Sequence, residues 1–294
     1  MRIAVCGSAV VDMVLQVESF PRKPEKHTAQ RATLVGGGCA ANAAVAIARL
    51  GGQAQMLARL GQDDIGALIE RDLVAEGVDC STIMHQNGGQ SAMSSVLVDA
   101  AGERQITAFR GASLPDLPSW TAQSLAPFDA ALADTRWPEA AAILLAAARN
   151  RGVPGVLDGE APVPANLLVL ASHCAFSMQG LTALTGHSDA VRGLREIYPQ
   201  SGGWICATDG PNGVFIHDET GPSHVPAFTT QVVDTLGAGD VWHGGFTLRL
   251  AEGASAHDAI IFANAVAALK CQGEGGRKAT PSRNQVEEFL EERI

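Results

Sequence analysis

A chain of 294 residues with 46% hydrophobic content can bury the core of one large α/β domain, or of such a domain with a small appendage. Its formal net charge of −10 argues against non-specific binding to nucleic acid or to an anionic membrane surface, although a local basic pocket for an anionic small substrate remains compatible with it. No uninterrupted apolar run approaches the roughly 20 residues of a membrane span.

The N-terminal residues Met1-Arg-Ile-Ala-Val-Cys6 are short, lead straight into Gly7 and Asp12, and read as a buried first strand over 3–6 instead of a secretion signal. Strand patterns follow at 11–17 and 31–35, and then a helix at 43–50. A strand at 55–60 precedes a helix at 65–76. Residues 91–98 and 104–109 alternate in polarity around Asp99-Ala-Ala-Gly102, the pattern of a hairpin with a glycine turn. A strand at 130–134 leads to a helix at 138–150 that starts on proline, and strands follow at 154–157, 174–177 and 204–208. Helices at 240–251, 256–271 and 282–293 close the chain. Repeated βα units predict a parallel sheet covered by helices on both faces, with ligands at the carboxyl ends of its strands. Asp12, Asp134, Asp158 and Thr208 all fall at or just past such ends. The segments at about 11–35 and 90–110 have no helix between their strands, which predicts a separate small sheet within a single domain spanning 1–294. A hairpin attached to the main sheet is the alternative. The six cysteines, Cys6, Cys39, Cys80, Cys174, Cys206 and Cys271, form no CxxC pair and sit mostly in apolar segments, so reduced core thiols in a cytoplasmic protein are expected.

The stretch that carries chemistry is Asp234-Thr-Leu-Gly-Ala-Gly-Asp240, followed by an apolar run at helical spacing. Gly237, Ala238 and Gly239 read as a tight turn into a helix N-terminus, where free backbone N–H groups and the helix dipole suit an anion. Asp240 at that mouth could take a proton from an attacking hydroxyl, and an anion hole beside a carboxylate base suits phosphoryl transfer to an alcohol. A plain helix cap behind a glycine turn is the other reading. Gly36-Gly-Gly-Cys-Ala-Ala-Asn42 precedes an Ala-rich helix. Its glycines permit close backbone approach, and Asn42 can both donate to and accept from hydroxyls.

Together these two stretches resemble the paired signatures of the ribokinase-like (PfkB) carbohydrate kinase family. The resemblance spans nearly the whole chain and includes Gly7-Ser-Ala-Val-Val-Asp12, Arg59-Leu-Gly-Gln-Asp-Asp-Ile-Gly66 and Ala207-Thr-Asp-Gly-Pro-Asn-Gly213 in the family's order. It implies a ribokinase-like three-layer core with a parallel sheet, a β-sheet lid over the sugar site that often also joins two subunits, and ATP with Mg²⁺ as phosphoryl donor. A lid makes physical sense because excluding water limits hydrolysis of the nucleotide. The resemblance further implies Asp240 as general base, with Gly237, Ala238 and Gly239 in the anion hole, and Asp12, Gly37, Gly38 and Asn42 at the sugar. Thr208, Gly210, Gly213 and Asn264 fall on the nucleotide side, with a buried cross-helix bond as the alternative for Asn264. Gly275 belongs to a loop closing over the nucleotide, and many relatives bind a monovalent cation between Asp234 and that loop. Ser177-Met-Gln-Gly180 stands where many relatives carry Asn-x-x-Glu, so the protein ligands of Mg²⁺ are unknown; Asp158 and Glu160 are the nearby carboxylates.

Lys26, Arg110 and Arg136 are candidates to face the sugar, and converging cations would suit a substrate with an anionic end. Each could equally be a solvated surface charge. Lys26, Leu132-Ala-Asp-Thr-Arg-Trp137, Val156-Leu-Asp-Gly159 and Phe176-Ser-Met-Gln-Gly-Leu181 resemble the sulfofructose kinases within the family. Those enzymes hold the sulfonate with a lysine, an asparagine and an arginine; Lys26 and Arg136 match, while the asparagine position falls near Ala108, which cannot donate. The implied substrate is 6-deoxy-6-sulfofructose, giving its 1-phosphate. A fructokinase-, ketohexokinase- or ribokinase-like kinase of a neutral sugar is the alternative, with a nucleoside kinase or a non-catalytic sugar-binding protein behind it. Aromatic content of 5% leaves few walls for stacking a base.

Overall fold

The computed structural model describes residues 1–24 and 26–293. The chain starts with β1 (Arg2–Cys6), β2 (Val10–Gln16) and β3 (Arg31–Gly37), then α1 (Cys39–Arg49), β4 (Gln53–Leu57), β5 (Arg59–Gly61), α2 (Asp64–Ala75) and β6 (Met84–Gln86). The hairpin β7 (Met93–Val98) and β8 (Arg104–Phe109) follows. Next come β9 (Ala130–Ala133), α3 (Pro138–Arg151), β10 (Gly155–Gly159), α4 (Ala165–Leu170), β11 (His173–Ser177), α5 (Met178–Thr185) and α6 (Ala190–Ile197). The last part holds β12 (Trp204–Thr208), β13 (Val214–Asp218), β14 (Gly221–Val225), α7 (Ala238–Ala251), α8 (Ala256–Cys271) and α9 (Arg283–Glu291).

The main sheet has the order β14-β13-β12-β11-β10-β9-β1-β4, and helices cover both faces. Its strands from β4 to β12 run parallel and are almost wholly buried, as strands with helices on both sides must be. The sheet is mixed and not purely parallel, because β13 and β14 add to one edge as an antiparallel pair. Sequence alternation misses them: they are short, they join through two residues, and Pro222 lies in the outer strand, where a missing N–H costs no ladder bond. From β1 the chain moves to β4 on one side and later to β9 on the other, so the crevice past the ends of β1 and β9 is the switch point where ligands bind in such sheets.

A second sheet, β3-β2-β7-β8, stands apart from the first, with β2 and β7 parallel and the outer pairs antiparallel. Every residue of β8 is exposed, and Leu34, Ile106 and Phe109 leave 53%, 54% and 43% of their surface open on this small sheet.

Two boundaries differ from the sequence reading by more than two residues, and α4, α5, α6 and β6 have no counterpart in it. The strand at 55–60 breaks at Ala58, where Arg59 leaves to stack over Trp137 at 5.3 Å and to donate to Pro115 O, and β5 pairs with β6 instead. The first helix starts four residues early, at Cys39, because its amide donates to Ser8 Oγ from across the fold. Small residues then let α1 and α7 approach closely: a Cβ on Gly244 of α7 would come within 2.6 Å of Ala43 O. That approach brings Asn42 beside Asp240. Among the described residues no helix is long and apolar enough to cross a membrane.

Candidate active site

Asp134, at the exit of β9 and 1% exposed, holds the crevice together. Its Oδ2 accepts from Ser8 N and Oγ at 2.8 and 2.6 Å and from Ala40 N at 3.3 Å, and its Oδ1 accepts from Arg136 N at 2.9 Å. One carboxylate thus joins the β1 exit, the start of α1 and the β9 exit, a structural use of a residue the sequence marked only as a strand-end carboxylate.

The glycine run ending β3 serves side chains that approach it. A Cβ on Gly36 would fall 1.7 Å from the Arg277 guanidinium, and one on Gly37 would fall 2.3 Å from Asp12 Oδ2. Gly38 has φ of 91° and abuts Ser8 O, so only glycine fits there. Asp12 therefore lies across Gly37 at the base of the small sheet, in one cross-strand row with Ser94 and Ala108, which share its face. Burial holds the Asp12 carboxyl above the usual carboxylate range, against a hydrogen bond from Ser94 and the charge of Arg277.

Asp240 sits in the first turn of α7, behind Gly237, whose φ of 76° bends the chain into the helix. Asn42 Nδ2 donates to Asp240 Oδ2 at 2.7 Å, and Arg277, itself 2% exposed, approaches Asn42 Oδ1 at 3.5 Å while pairing with Asp72. Burial raises the Asp240 carboxyl; the Asn42 amide, the charge of His243 and the Cys39 thiol oppose the rise. The Cys39 thiol, Asp158 and Asp240 lie with their ligand atoms within 4.8 Å of one another. Burial pushes Asp158 up to about 7, and its Oδ1 is buried without a hydrogen-bond partner, 3.6 Å from His243 Nε2. His243 places Nδ1 2.8 Å from Gly239 O and Nε2 3.1 Å from Ala175 O. Carbonyls only accept, so these two contacts and the Asp158 carboxylate all favour the protonated ring. Burial alone would depress His243; Asp158 and the two carbonyls raise it. Neither His243 nor Cys39 stood out in the sequence; the i, i+3 spacing of Asp240 and His243 on one helix was the available signal.

A groove of about 420 Å³ opens beside the Ala238–Gly239 turn, lined also by Thr208, Gly210, Gly213, Trp242 and Asn264. It is mostly apolar apart from threonines, which suits a flat aromatic ring beyond a phosphate chain. Thr208 Oγ1 donates to Phe176 O at 3.3 Å. Asn264 has both ends of its amide engaged: Oδ1 accepts from Trp242 Nε1 at 2.8 Å and Nδ2 donates to Pro226 O at 3.0 Å. This is the cross-helix bond, with Trp242 presented to the groove as its result.

Asp234 opens the loop to α7. Its Oδ1 accepts from Arg104 Nη2 at 2.5 Å and Leu236 N at 2.9 Å, and its Oδ2 accepts from Gly276 N at 2.9 Å and Gly275 N at 3.1 Å. Lys270, fully buried, donates Nζ to Asp234 O at 2.7 Å and stands 3.7 Å from Oδ2. Against the cost of burial, these amides and cations hold Asp234 below the usual carboxylate range. A monovalent metal ion needs oxygen lone pairs free of N–H donors; here the Asp234 oxygens are taken and two positive side chains stand within 4 Å. The cation expected beside Asp234 does not fit these residues.

Of the three basic residues proposed for the sugar, Arg136 lies beside the crevice: it is half-buried, its Nη1 donates to Ala161 O at 2.8 Å, and its charge acts on Cys39. Lys26, between β2 and β3, and Arg110, just past β8, are exposed on the small sheet's connections.

The description of the pfkB family carbohydrate kinases matches residues 1–283. The chain is 30% identical to a ribokinase of Haemophilus influenzae, covering 98% of both chains, and 29% identical to an ATP-dependent ribose-1-phosphate kinase of Halopiger xanaduensis, covering 100% of this chain and 99% of that one. A crystal structure from Agrobacterium tumefaciens, designated a ribokinase, superposes with a TM-score of 0.92 at 34% identity over 99% of this chain and 97% of its own. With a family match over nearly its whole length, the chain belongs to the pfkB family of carbohydrate kinases and is an ATP-dependent sugar kinase.

Proposed function

We propose that this kinase transfers the γ-phosphoryl group of ATP to a hydroxyl of a small sugar with an anionic end, 6-deoxy-6-sulfofructose being the first candidate, with the 1-phosphate as product. The observation that carries the chemistry is the Asp240 carboxylate, which accepts from Asn42 in the first turn of α7, one and two residues past Gly239 and Ala238. In this reading Asp12, Asn42 and the Gly37–Gly38 backbone hold the sugar hydroxyls. Asp240 takes the proton of the attacking hydroxyl, and the Gly237–Ala238–Gly239 turn receives the charge that develops on the phosphoryl group. Thr208, Gly210 and Gly213 line the path of the phosphates, Trp242 held by Asn264 flanks the base, and Gly275 closes the far side through Asp234.

Mg²⁺ would arrive with the nucleotide and neutralise phosphate charge. The bare, buried Oδ1 of Asp158 fits a hard cation, directly or through water; the thiol of Cys39 does not suit it. The exposed apolar side chains of the small sheet, Leu34, Ile106 and Phe109, support a homodimer formed through this lid.

Two pieces of support favour an anionic substrate. Arg136 is anchored beside the crevice through Ala161 O, and a relative at 29% identity is named for an anionic sugar. If Arg136 grips that end, Arg136→Ala loses about 10–150-fold in kcat/KM for sulfofructose, the worth of one charge-assisted hydrogen bond of roughly 1.5–3 kcal/mol, and much less for fructose or ribose. Equal losses on both substrates would make Arg136 structural. The second reading, a neutral sugar, is favoured by Ala108, which offers no polar group beside Ser94 and Asp12, by the exposure of Lys26 and Arg110, and by the ribokinase relatives. A panel of ribose, fructose, sulfofructose and nucleosides assayed with ATP separates the two.

The role of Asp240 has a pH signature. A base works only when deprotonated, so kcat/KM falls on the acid side as Asp240 protonates. The Asn42 amide stabilises the carboxylate, so Asn42→Ala is expected to move that acid limb to higher pH. An acid limb that stays in place in the variant would show that another group sets it.

A further inference from the structure

We propose that the Lys270 ammonium is a built-in cation that organises the anion-binding turn, so that this kinase works without a monovalent metal ion; the inference rests on the kinase reading of that turn. Lys270 lies in the last turn of α8, with no side-chain surface exposed. A fully buried lysine needs partners for its N–H groups and its charge, and Asp234 supplies both through its carbonyl oxygen at 2.7 Å and its carboxylate at 3.7 Å. The same carboxylate takes the Gly275 and Gly276 amides on one oxygen, and Leu236 N and Arg104 on the other. Asp234 is in turn fixed to the end of α8, because Val233 N and Asp234 N both donate to Cys271 O.

The outcome is a rigid junction three residues ahead of Gly237. The α8 terminus, the 275–276 loop, the strand β8 of the small sheet and the start of the Gly237–Gly239 turn meet at one carboxylate. An ion threaded among oxygens could tie these segments together only if their lone pairs were open. Here amides and two cationic heads fill them, and one of those heads is covalently part of the core. Lys270 is thus a positioning residue: it touches neither nucleotide nor sugar, and it acts through the path of the backbone from Asp234 to Ala238.

The test compares the purified protein in chloride salts of potassium, sodium and tetramethylammonium at one ionic strength of about 0.1 M, where the Debye length of ~10 Å screens surface charge equally. Thermal unfolding is read without substrates and phosphoryl transfer with ATP and the best sugar of the panel. The expected result is the same melting midpoint and the same turnover in all three salts. A midpoint raised by potassium over tetramethylammonium, or turnover several-fold higher in potassium, would overturn the proposal. The melting arm needs no sugar, so it stands apart from any failure to find the substrate. Lys270→Ala opens a cavity the size of an ion, and Lys270→Met fills the space without charge. Lys270→Ala is expected to lose roughly tenfold or more in kcat, the scale of a buried charge-assisted bond, with KM for the sugar little changed because Asp12 and Asn42 are untouched. Its midpoint should rise with potassium as the wild-type midpoint does not, and Lys270→Met should stay low in turnover and indifferent to salt. A Lys270→Met variant with wild-type kcat would sink the positioning role, and if either variant fails to fold, the wild-type salt comparison still decides.

Discussion

Asp240→Asn is expected to retain the fold and the affinity for nucleotide while turnover falls by about 10²–10⁴-fold, the usual contribution of a general base. The substitution keeps the shape of the side chain and an oxygen for the Asn42 amide, so the approach of α1 to α7 survives. It removes only the ability to carry a proton away from the substrate hydroxyl. The neighbouring groups cannot replace it. Asp158 is 4% exposed and turned toward His243, Cys39 is held as a neutral thiol by burial and three carboxylates, and Asp12 lies across Gly37 on the far side. Losing a negative charge next to a phosphate chain does not weaken nucleotide binding, so calorimetry with ATP should give an affinity at least equal to that of the wild type. Turnover within about tenfold of wild type, below the range for general bases, would remove Asp240 from the role.

The parts of this site that were legible are those written in contiguous residues. The Gly-Ala-Gly turn before Asp240 announces itself because a tight turn and a helix start need those residue types locally. The βα alternation gives the main sheet for the same reason, since buried parallel strands are short apolar runs. What stayed hidden was made by approach over distance. Arg277 is one basic residue in a glycine-rich loop, and nothing local says that its guanidinium will fill the space left by Gly36, some two hundred and forty positions earlier. Asp234 reads as the start of a motif, and Lys270 as a helix-end lysine, which is the ordinary place for one; only the fold turns that lysine inward. Asn264 shows the converse: the sequence sets it on the nucleotide side with a buried cross-helix bond as the alternative, and the amide makes that bond while lining the groove, with the partner Trp242 unreadable. The antiparallel edge escaped because short strands joined by two residues leave little periodicity to detect.

Asp72→Ala is expected to cost the most stability, because it strands a buried charge. Arg277 is 2% exposed and its ion pair with Asp72 is the one salt bridge it makes among the described residues; the rest of its surroundings are Asn42, Gly36 and, at longer range, Asp12. Breaking a buried ion pair by removing one partner costs about 3–5 kcal/mol, since the other charge stays behind without compensation. The Asp72 side chain is 37% exposed, so water reaches that end of the pair, and the lower end of this range applies. At roughly 2–4 °C per kcal/mol for a large domain, the melting midpoint should fall by about 6–12 °C. The mechanism has a sharper consequence than the loss itself. Adding Arg277→Met to Asp72→Ala deletes the stranded charge and leaves an apolar chain of similar reach against Gly36. The double variant should therefore be more stable than Asp72→Ala alone, although it carries one more change. It should also turn over more slowly than wild type, because Arg277 no longer steadies the Asn42 amide that holds Asp240. A double variant less stable than the single one would mean that Arg277 is favourable in its pocket without Asp72, and that packing against the glycine run, not charge pairing, keeps it buried.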